Sequence, residues 1–119
     1  MLEQAARTVM LLGTQAMERL ARSHVAVFGL GGVGSWCAEA LCRSGVGRLT
    51  LVDQDRVSLS NLNRQAAALH DTVGMEKALA TAQRLRQINP DCLRQPSAAR
   101  YAAQERERFF QQRYDDIVD

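Results

Sequence analysis

Apolar residues occur along the chain in short compact runs, separated by stretches in which they recur at helical spacing. The runs His24–Phe28 and 48–53 are mostly apolar, which predicts two buried strands. The stretch 35–44 is rich in Ala, Leu and Cys and is followed by Gly45, which predicts a helix that ends at the glycine. A second helix is predicted over 75–88, because one face carries its apolar side chains: Ala78, Leu79, Ala82, Leu85 and Ile88.

Weaker patterns occupy the rest of the chain. Two short helices are predicted before residue 24, the first ending at Gly13 and the second capped by Thr14. Another short helix is predicted near 65–69, inside a polar and irregular stretch. Three elements are expected towards the C-terminus: a strand over 92–95, a charged helix over 104–112, and a strand beginning at Asp115.

The alternation of strands and helices predicts an α/β fold. We expect a Rossmann-like parallel sheet with helices on both faces, preceded by two short N-terminal helices. Ligands of such sheets bind beyond the carboxyl ends of the strands. The last predicted strand stops at that edge with Asp119, so we expect a fold that is incomplete at its C-terminus.

Composition excludes several classes of protein. Of the 119 residues, 46% are hydrophobic and 24% charged, and the net charge of +2 is too small to indicate nucleic-acid binding by itself. No apolar run is long enough to span a membrane, so we expect no membrane partner. The three cysteines form no C-x-x-C pair and no zinc set, which favours a reducing cytoplasm and no metal ligands in this chain. Cys37 and Cys42 are expected to pack in a core helix.

A glycine-rich segment follows the first predicted strand. Residues 29–34, Gly-Leu-Gly-Gly-Val-Gly, form a G-x-G-x-x-G pattern between a strand and a helix. Such glycines let the backbone approach phosphate oxygens, while the helix directs its N–H groups at them. Asp53 ends the second strand, where a carboxylate can accept hydrogen bonds from ribose hydroxyls. The pattern predicts a nucleotide site, and it fits an NAD-dependent oxidoreductase as well as an ATP-dependent enzyme.

Two cations follow the second strand. Arg64 can bind two phosphate oxygens with its planar guanidinium, and Lys77, the single lysine of the chain, lies near the start of the helix 75–88. Two cations exceed the need of a dinucleotide and suit a triphosphate whose leaving group is pyrophosphate. Spacing by itself is explained equally well by two solvated surface charges.

Five motifs, in this order, resemble the ThiF/MoeB/HesA superfamily of adenylating enzymes, relatives of the ubiquitin-activating enzymes. They are Gly-Leu-Gly-Gly-Val-Gly-Ser, Asp-Gln-Asp, Ser-Asn-Leu-Asn-Arg-Gln, Gly-Met-Glu-Lys-Ala and Ile-Asn-Pro. The sequence around Trp36 and Asn63 is most similar to the tRNA threonylcarbamoyladenosine dehydratases, because sulfur-carrier enzymes usually have Gln in place of Asn63. The resemblance implies that 1–119 is the N-terminal part of an ATP-binding adenylating domain, with a helical segment at 1–23 and a nucleotide-binding core at 24–119.

The resemblance also implies a reaction. A substrate carboxylate attacks the α-phosphorus of ATP, which releases pyrophosphate and leaves an acyl-adenylate. In the dehydratases this carboxylate belongs to threonylcarbamoyladenosine in tRNA, whose activated acyl group then closes into a cyclic form with net loss of water. The implied partners are the tRNA, a second copy of the chain and, if sulfur or persulfide chemistry takes part, a sulfur-transfer protein.

Roles carried over by resemblance fall on named positions of this sequence. Arg64 and Lys77 would contact phosphates as catalytic cations, and Arg7 would reach the ATP of the partner subunit in a homodimer. Asp53 would hold the ribose, and Asn61 would contact a phosphate. The other implied ATP-binding residues are Gly29, Gly31, Gly32, Gly34, Asp55 and Gln65, of which Gln65 supports the loop.

Asp119 matches the first acid of the superfamily's Asp-x-x-Asp motif. The second acid, the principal Mg²⁺ ligand, is expected beyond it, so we expect the 119 residues to be inactive by themselves. Two other functions stay open. One is an adenylyltransferase for a ubiquitin-like sulfur-carrier protein, which downstream C-x-x-C pairs would favour, and the other is a catalytically incomplete nucleotide-binding fragment.

Overall fold

The computed structural model describes residues 3–99 and 112–119. In this part of the chain, two 3-10 helices (η) accompany four α-helices and four strands. In chain order the elements are η1 Glu3–Ala5, α1 Ala6–Leu12, α2 Thr14–Arg22, β1 His24–Phe28, α3 Gly32–Ser44, β2 Arg48–Val52, η2 Leu59–Asn63, α4 Lys77–Ile88, β3 Leu93–Ser97 and β4 Asp116–Val118.

The four strands form one parallel sheet in the order β3-β2-β1-β4. β1 pairs with β2 from His24 and Arg48 to Phe28 and Val52, and it pairs on its other side with β4. The chain therefore builds outward from β1 in both directions, and α/β sheets bind ligands beyond the carboxyl ends of the strands at such a reversal. The predicted Rossmann-like sheet and the two short N-terminal helices are confirmed.

The main core lies between the sheet and the α3–α4 pair. Because strand side chains alternate between the two faces, Val27, Leu49 and Leu51 point into this core and contact Leu85 and Cys42. The opposite face carries Ala26, Phe28 and Val52, with Ala99 and Tyr114 packed against them. Cys42 is buried as predicted, whereas Cys37 is only half-buried.

A buried histidine joins β1 to its neighbours at the amino end of the sheet. The backbone N–H of His24 donates to Asp115 Oδ2 at 2.7 Å. The His24 ring lies 2.7 Å from Thr50 Oγ1 through Nε2 and 3.1 Å from the Arg113 carbonyl oxygen through Nδ1. Burial and the positive charge of Arg48 lower the pKa of His24 from its ordinary value near 6.5.

Several predicted boundaries shift. Thr14 was expected to cap α2, but it is the first helical residue and Gly13 holds the cap position. The short helix expected near 65–69 is wrong: the helical residues are those of η2, and turns follow them. The predicted helix 104–112 lies almost entirely outside the described residues. Among the helices that the structure describes, none is both long and apolar enough to cross a bilayer.

Candidate nucleotide site at the carboxyl edge of the sheet

The glycine segment forms a tight loop between β1 and α3. Gly29 has a φ of 92°, in the left-handed region that favours glycine, and its N–H donates to the Val52 carbonyl oxygen at 2.8 Å. A Cβ at Gly34 would lie 1.7 Å from the Gly29 carbonyl oxygen. The first turn of α3 therefore packs directly against the loop, and any side chain at Gly34 would push the two apart.

The N-terminus of α3 is open at this loop. Gly31 occupies the cap position and makes no side-chain cap hydrogen bond. The N–H groups of the first helical turn have no partner within the helix, and the helix dipole places partial positive charge on them. This arrangement can receive the oxygens of a phosphate group.

Asp53 is fixed beside the loop by two backbone donors. Its Oδ2 accepts from the Leu30 N–H at 2.7 Å, and its Oδ1 accepts from the Asp55 N–H at 2.8 Å. A carboxylate oxygen has a second lone pair, so the half-buried side chain can still accept two further hydrogen bonds. Asp53 therefore keeps acceptor capacity beside the loop, and its contact with ribose hydroxyls stays a prediction.

Ser35 and Trp36, near the N-terminus of α3, attach the segment after η2 to this helix. The Trp36 Nε1–H donates to the Arg64 carbonyl oxygen at 2.8 Å, and the Ala66 N–H donates to Ser35 Oγ at 3.1 Å. A Cβ at Gly32 would lie 3.7 Å from the Arg64 side chain. A Cβ at Gly31 would lie 3.9 Å from Gln65 Nε2. The structure thus brings the side chains of Arg64 and Gln65 next to the glycine loop.

The guanidinium of Arg64 is exposed and only partly engaged. Its Nη1 donates to Asn63 Oδ1 at 2.9 Å and to the Ser60 carbonyl oxygen at 3.3 Å. Among the described residues, its Nη2 and Nε groups make no hydrogen bond that fixes them. These groups can bind an anion above the loop.

Lys77 begins α4, and its side chain is only 11% exposed. Its Nζ lies 4.0 Å from Asp55 Oδ2, and its backbone N–H donates to the Asp55 carbonyl oxygen at 2.9 Å. The hydrogen bonds of Asp55 run to both Asp53 and Lys77, so the acidic pair after β2 also positions the cation.

The described hydrogen bonds of two further predicted site residues, Asn61 and Arg7, do not connect them to the glycine loop. Asn61 is buried, and its Oδ1 accepts from the Ser58 N–H at 2.8 Å, which caps η2. Its phosphate contact stays a prediction. Arg7 is exposed on α1 and makes no hydrogen bond or ion pair with another described residue. The sequence assigned no role to Ser35, which ends the motif that begins at Gly29, or to Trp36, which follows it.

In the described part of the chain, no cluster of metal-ligating side chains lies at this site. No group of three or more His, Cys, Asp or Glu residues there could hold an ion. The Asp53 carboxylate is engaged by backbone donors, and Asp55 faces Lys77. The described groups, a helix N-terminus and two cations, carry the charge that suits an anion.

Residues 4–119 match the model of the ThiF family, and the chain belongs to this family. It is 53% identical over 85 residues to the tRNA threonylcarbamoyladenosine dehydratase of Escherichia coli, covering 71% of this chain and 32% of that protein. The Bacillus subtilis enzyme of the same name is 44% identical over 119 residues, all of this chain and 47% of the relative. The chain thus spans about a third to a half of these relatives.

A solved structure that is similar to this chain belongs to the same kind of protein as these two relatives. The crystal structure of the E. coli tRNA N6-threonylcarbamoyladenosine dehydratase in complex with ATP has a TM-score of 0.95 to this chain. The two are 40% identical, and the match covers 98% of this chain and 48% of that one.

Proposed function

We propose that this protein activates a carboxylate by adenylation with ATP, and that the carboxylate belongs to threonylcarbamoyladenosine in tRNA. The observation that supports the proposal is the open α3 N-terminus with the Arg64 side chain beside it, together with the contacts that connect the loop through Asp53 and Asp55 to Lys77. The family and the relatives named above support the choice of nucleotide and of RNA substrate.

In the proposed reaction a carboxylate oxygen of the nucleoside forms a bond to the α-phosphorus of ATP. The bond from that phosphorus to the bridging oxygen breaks, and pyrophosphate leaves with the electron pair. Arg64 and Lys77 stabilise the charge that develops on the leaving group, because fixed cations need no reorganisation during the step. Asp53 holds the ribose, and Gln65 supports the loop.

Three further parts of the proposal concern what surrounds the site. We propose a homodimer in which Arg7 reaches the partner's nucleotide, and a Mg²⁺ whose principal ligand lies beyond Asp119. The described carboxylates do not form a group of magnesium ligands. We also propose a cytoplasmic location, where tRNA and ATP are both present.

Pyrophosphate release tests the proposal. Arg64→Ala and Lys77→Ala should each lower ATP-dependent pyrophosphate release with threonylcarbamoyladenosine-containing tRNA by about 100-fold or more, since each removes one preorganised charge. Arg86→Ala is the matched control: it removes the same charge from an exposed position on α4 and should leave the rate unchanged.

Two results would overturn parts of the proposal. Rates close to wild type in both Arg64→Ala and Lys77→Ala would contradict the roles assigned to the cations. Pyrophosphate release that depends on a ubiquitin-like sulfur-carrier protein, and not on the modified tRNA, would keep the adenylation and replace the substrate.

A further inference from the structure

Trp36 lies one helical turn from the glycine loop. It follows Gly32 by four residues on α3, so the two share a face of the helix and are separated by about 6 Å along its axis. The indole therefore lies about one helical turn from the loop at which the phosphates of ATP are proposed to bind.

The indole is both exposed and fixed in orientation. Trp36 is 50% exposed, and Val33, three residues earlier on the same helix, is 84% exposed. The Nε1–H of Trp36 donates to the Arg64 carbonyl oxygen at 2.8 Å, which holds the edge of the ring. A ring that is held by its edge loses little further freedom when a flat partner stacks on its face.

The surroundings of the indole favour a polyanion over an apolar protein surface. The residue that accepts its hydrogen bond, Arg64, carries an exposed guanidinium. The centres of protein–protein interfaces are depleted of charged residues. RNA-binding sites, in contrast, combine stacked aromatic rings with cations that contact the backbone.

We propose that Trp36 is the stacking platform for a base of the RNA substrate, next to the nucleoside whose carboxylate is activated. This inference rests on the proposed function and names the side chain that receives the RNA. It assigns Trp36 a binding role, and the hydrogen bond to Arg64 sets the orientation of the ring.

Two substitutions separate stacking from the positioning of Arg64. Trp36→Phe removes the N–H but keeps an aromatic face, whereas Trp36→Ala removes both. With threonylcarbamoyladenosine-containing tRNA, Trp36→Ala should raise the KM for RNA about tenfold or more, while Trp36→Phe stays within about threefold of wild type. Because both variants lose the N–H that holds the Arg64 segment, any change in the KM for ATP should be equal in the two. Leu79→Ala is the control, because it removes an exposed apolar side chain from a different helix, α4.

Fluorescence gives a second readout. The difference in emission between wild type and Trp36→Phe isolates Trp36, and this component should be quenched by the RNA before ATP is added. If Trp36→Ala and Trp36→Phe are equally impaired, the ring acts only through Arg64 and the proposal is wrong. If Trp36→Ala dissociates a dimer and leaves RNA affinity unchanged, the ring contacts a second copy of the chain, and the proposal is equally wrong.

Different experimental results would contradict the proposed function and this inference. A wild-type protein that binds ATP and releases no pyrophosphate with the modified tRNA contradicts the function. A wild-type protein that is active with this tRNA, together with a Trp36→Ala protein of equal KM, contradicts only the role of Trp36.

Discussion

The four glycines of the loop have different structural roles. Gly29 supplies a left-handed turn, and Gly34 allows a helix to touch the carbonyl of that turn. Gly31 and Gly32 instead leave room beneath Arg64 and Gln65. A single motif therefore contains two positions that shape the backbone and two positions that lie against the side chains of Arg64 and Gln65.

This division predicts effects of different size on stability for two alanine substitutions. Gly34→Ala should lower the free energy of unfolding by about 2–3 kcal/mol, because its Cβ would lie 1.7 Å from the Gly29 carbonyl oxygen. Gly32→Ala, the matched control, meets Arg64 only at 3.7 Å and should change stability by less than about 1 kcal/mol. Urea denaturation measures both, and equal effects would contradict the packing described for the loop.

Among the elements, the pairing of β1 with β4 depends on His24. Its backbone and ring bind Asp115, Thr50 and the Arg113 carbonyl, and these contacts connect the last described segment to the centre of the sheet. The neutral imidazole is favoured there because burial and Arg48 oppose a positive charge.

This surrounding gives the fold a pH dependence with a definite sign. In the folded state the pKa of His24 lies below its unfolded value near 6.5, so the unfolded chain binds more protons between the two values. Stability should therefore fall as the pH drops from about 7 through 6.5 to the folded pKa. Urea midpoints at pH 7.5 and 5.5 measure the change.

The chain has two histidines, which supplies a control for that experiment. His24→Gln should reduce the difference between the two midpoints, and substitution of the exposed His70 by Gln should keep it. A pH dependence that is unchanged in His24→Gln would show that other groups produce it.

Across the whole molecule, the site draws on four separate segments. The loop 29–34, the acids 53–55, the segment 61–65 and Lys77 meet because parallel strands place their carboxyl ends at one edge. The loop follows β1, which has β2 on one side and β4 on the other, and a reversal of this kind is the usual place for a nucleotide in such sheets.

The nucleotide that this edge prefers can be measured by its effect on stability. At 100 times its Kd, a ligand that binds only the folded protein stabilises it by about 2.7 kcal/mol, which raises Tm by several degrees. ATP should produce this shift and NAD should not, because two cations suit a triphosphate. Lys77→Ala should weaken the ATP shift, and Arg86→Ala should retain it. A shift with NAD and none with ATP would identify a dinucleotide site.

Local patterns were sufficient for most of the fold. Compact apolar runs predicted β1 and β2, helical spacing predicted α4, and Gly45 marked the end of α3. The short helix predicted near 65–69 was wrong, because the capping interactions of Ser58 and Asn61 start η2 earlier in the chain. That pair of polar side chains has no periodicity, so the hydrophobic pattern carried no sign of it.

The sequence by itself determined the α/β class, the glycine loop, the acid after β2 and the order of the site motifs, because each depends on neighbouring residues. Only the tertiary structure decided which side chains meet. Arg64 reaches the loop because Trp36 and Ser35 hold the segment that follows η2, and Lys77 is positioned by Asp55. These contacts join residues distant in the chain, and their distances follow from the packing of α3 and α4 against the sheet, which no local pattern encodes.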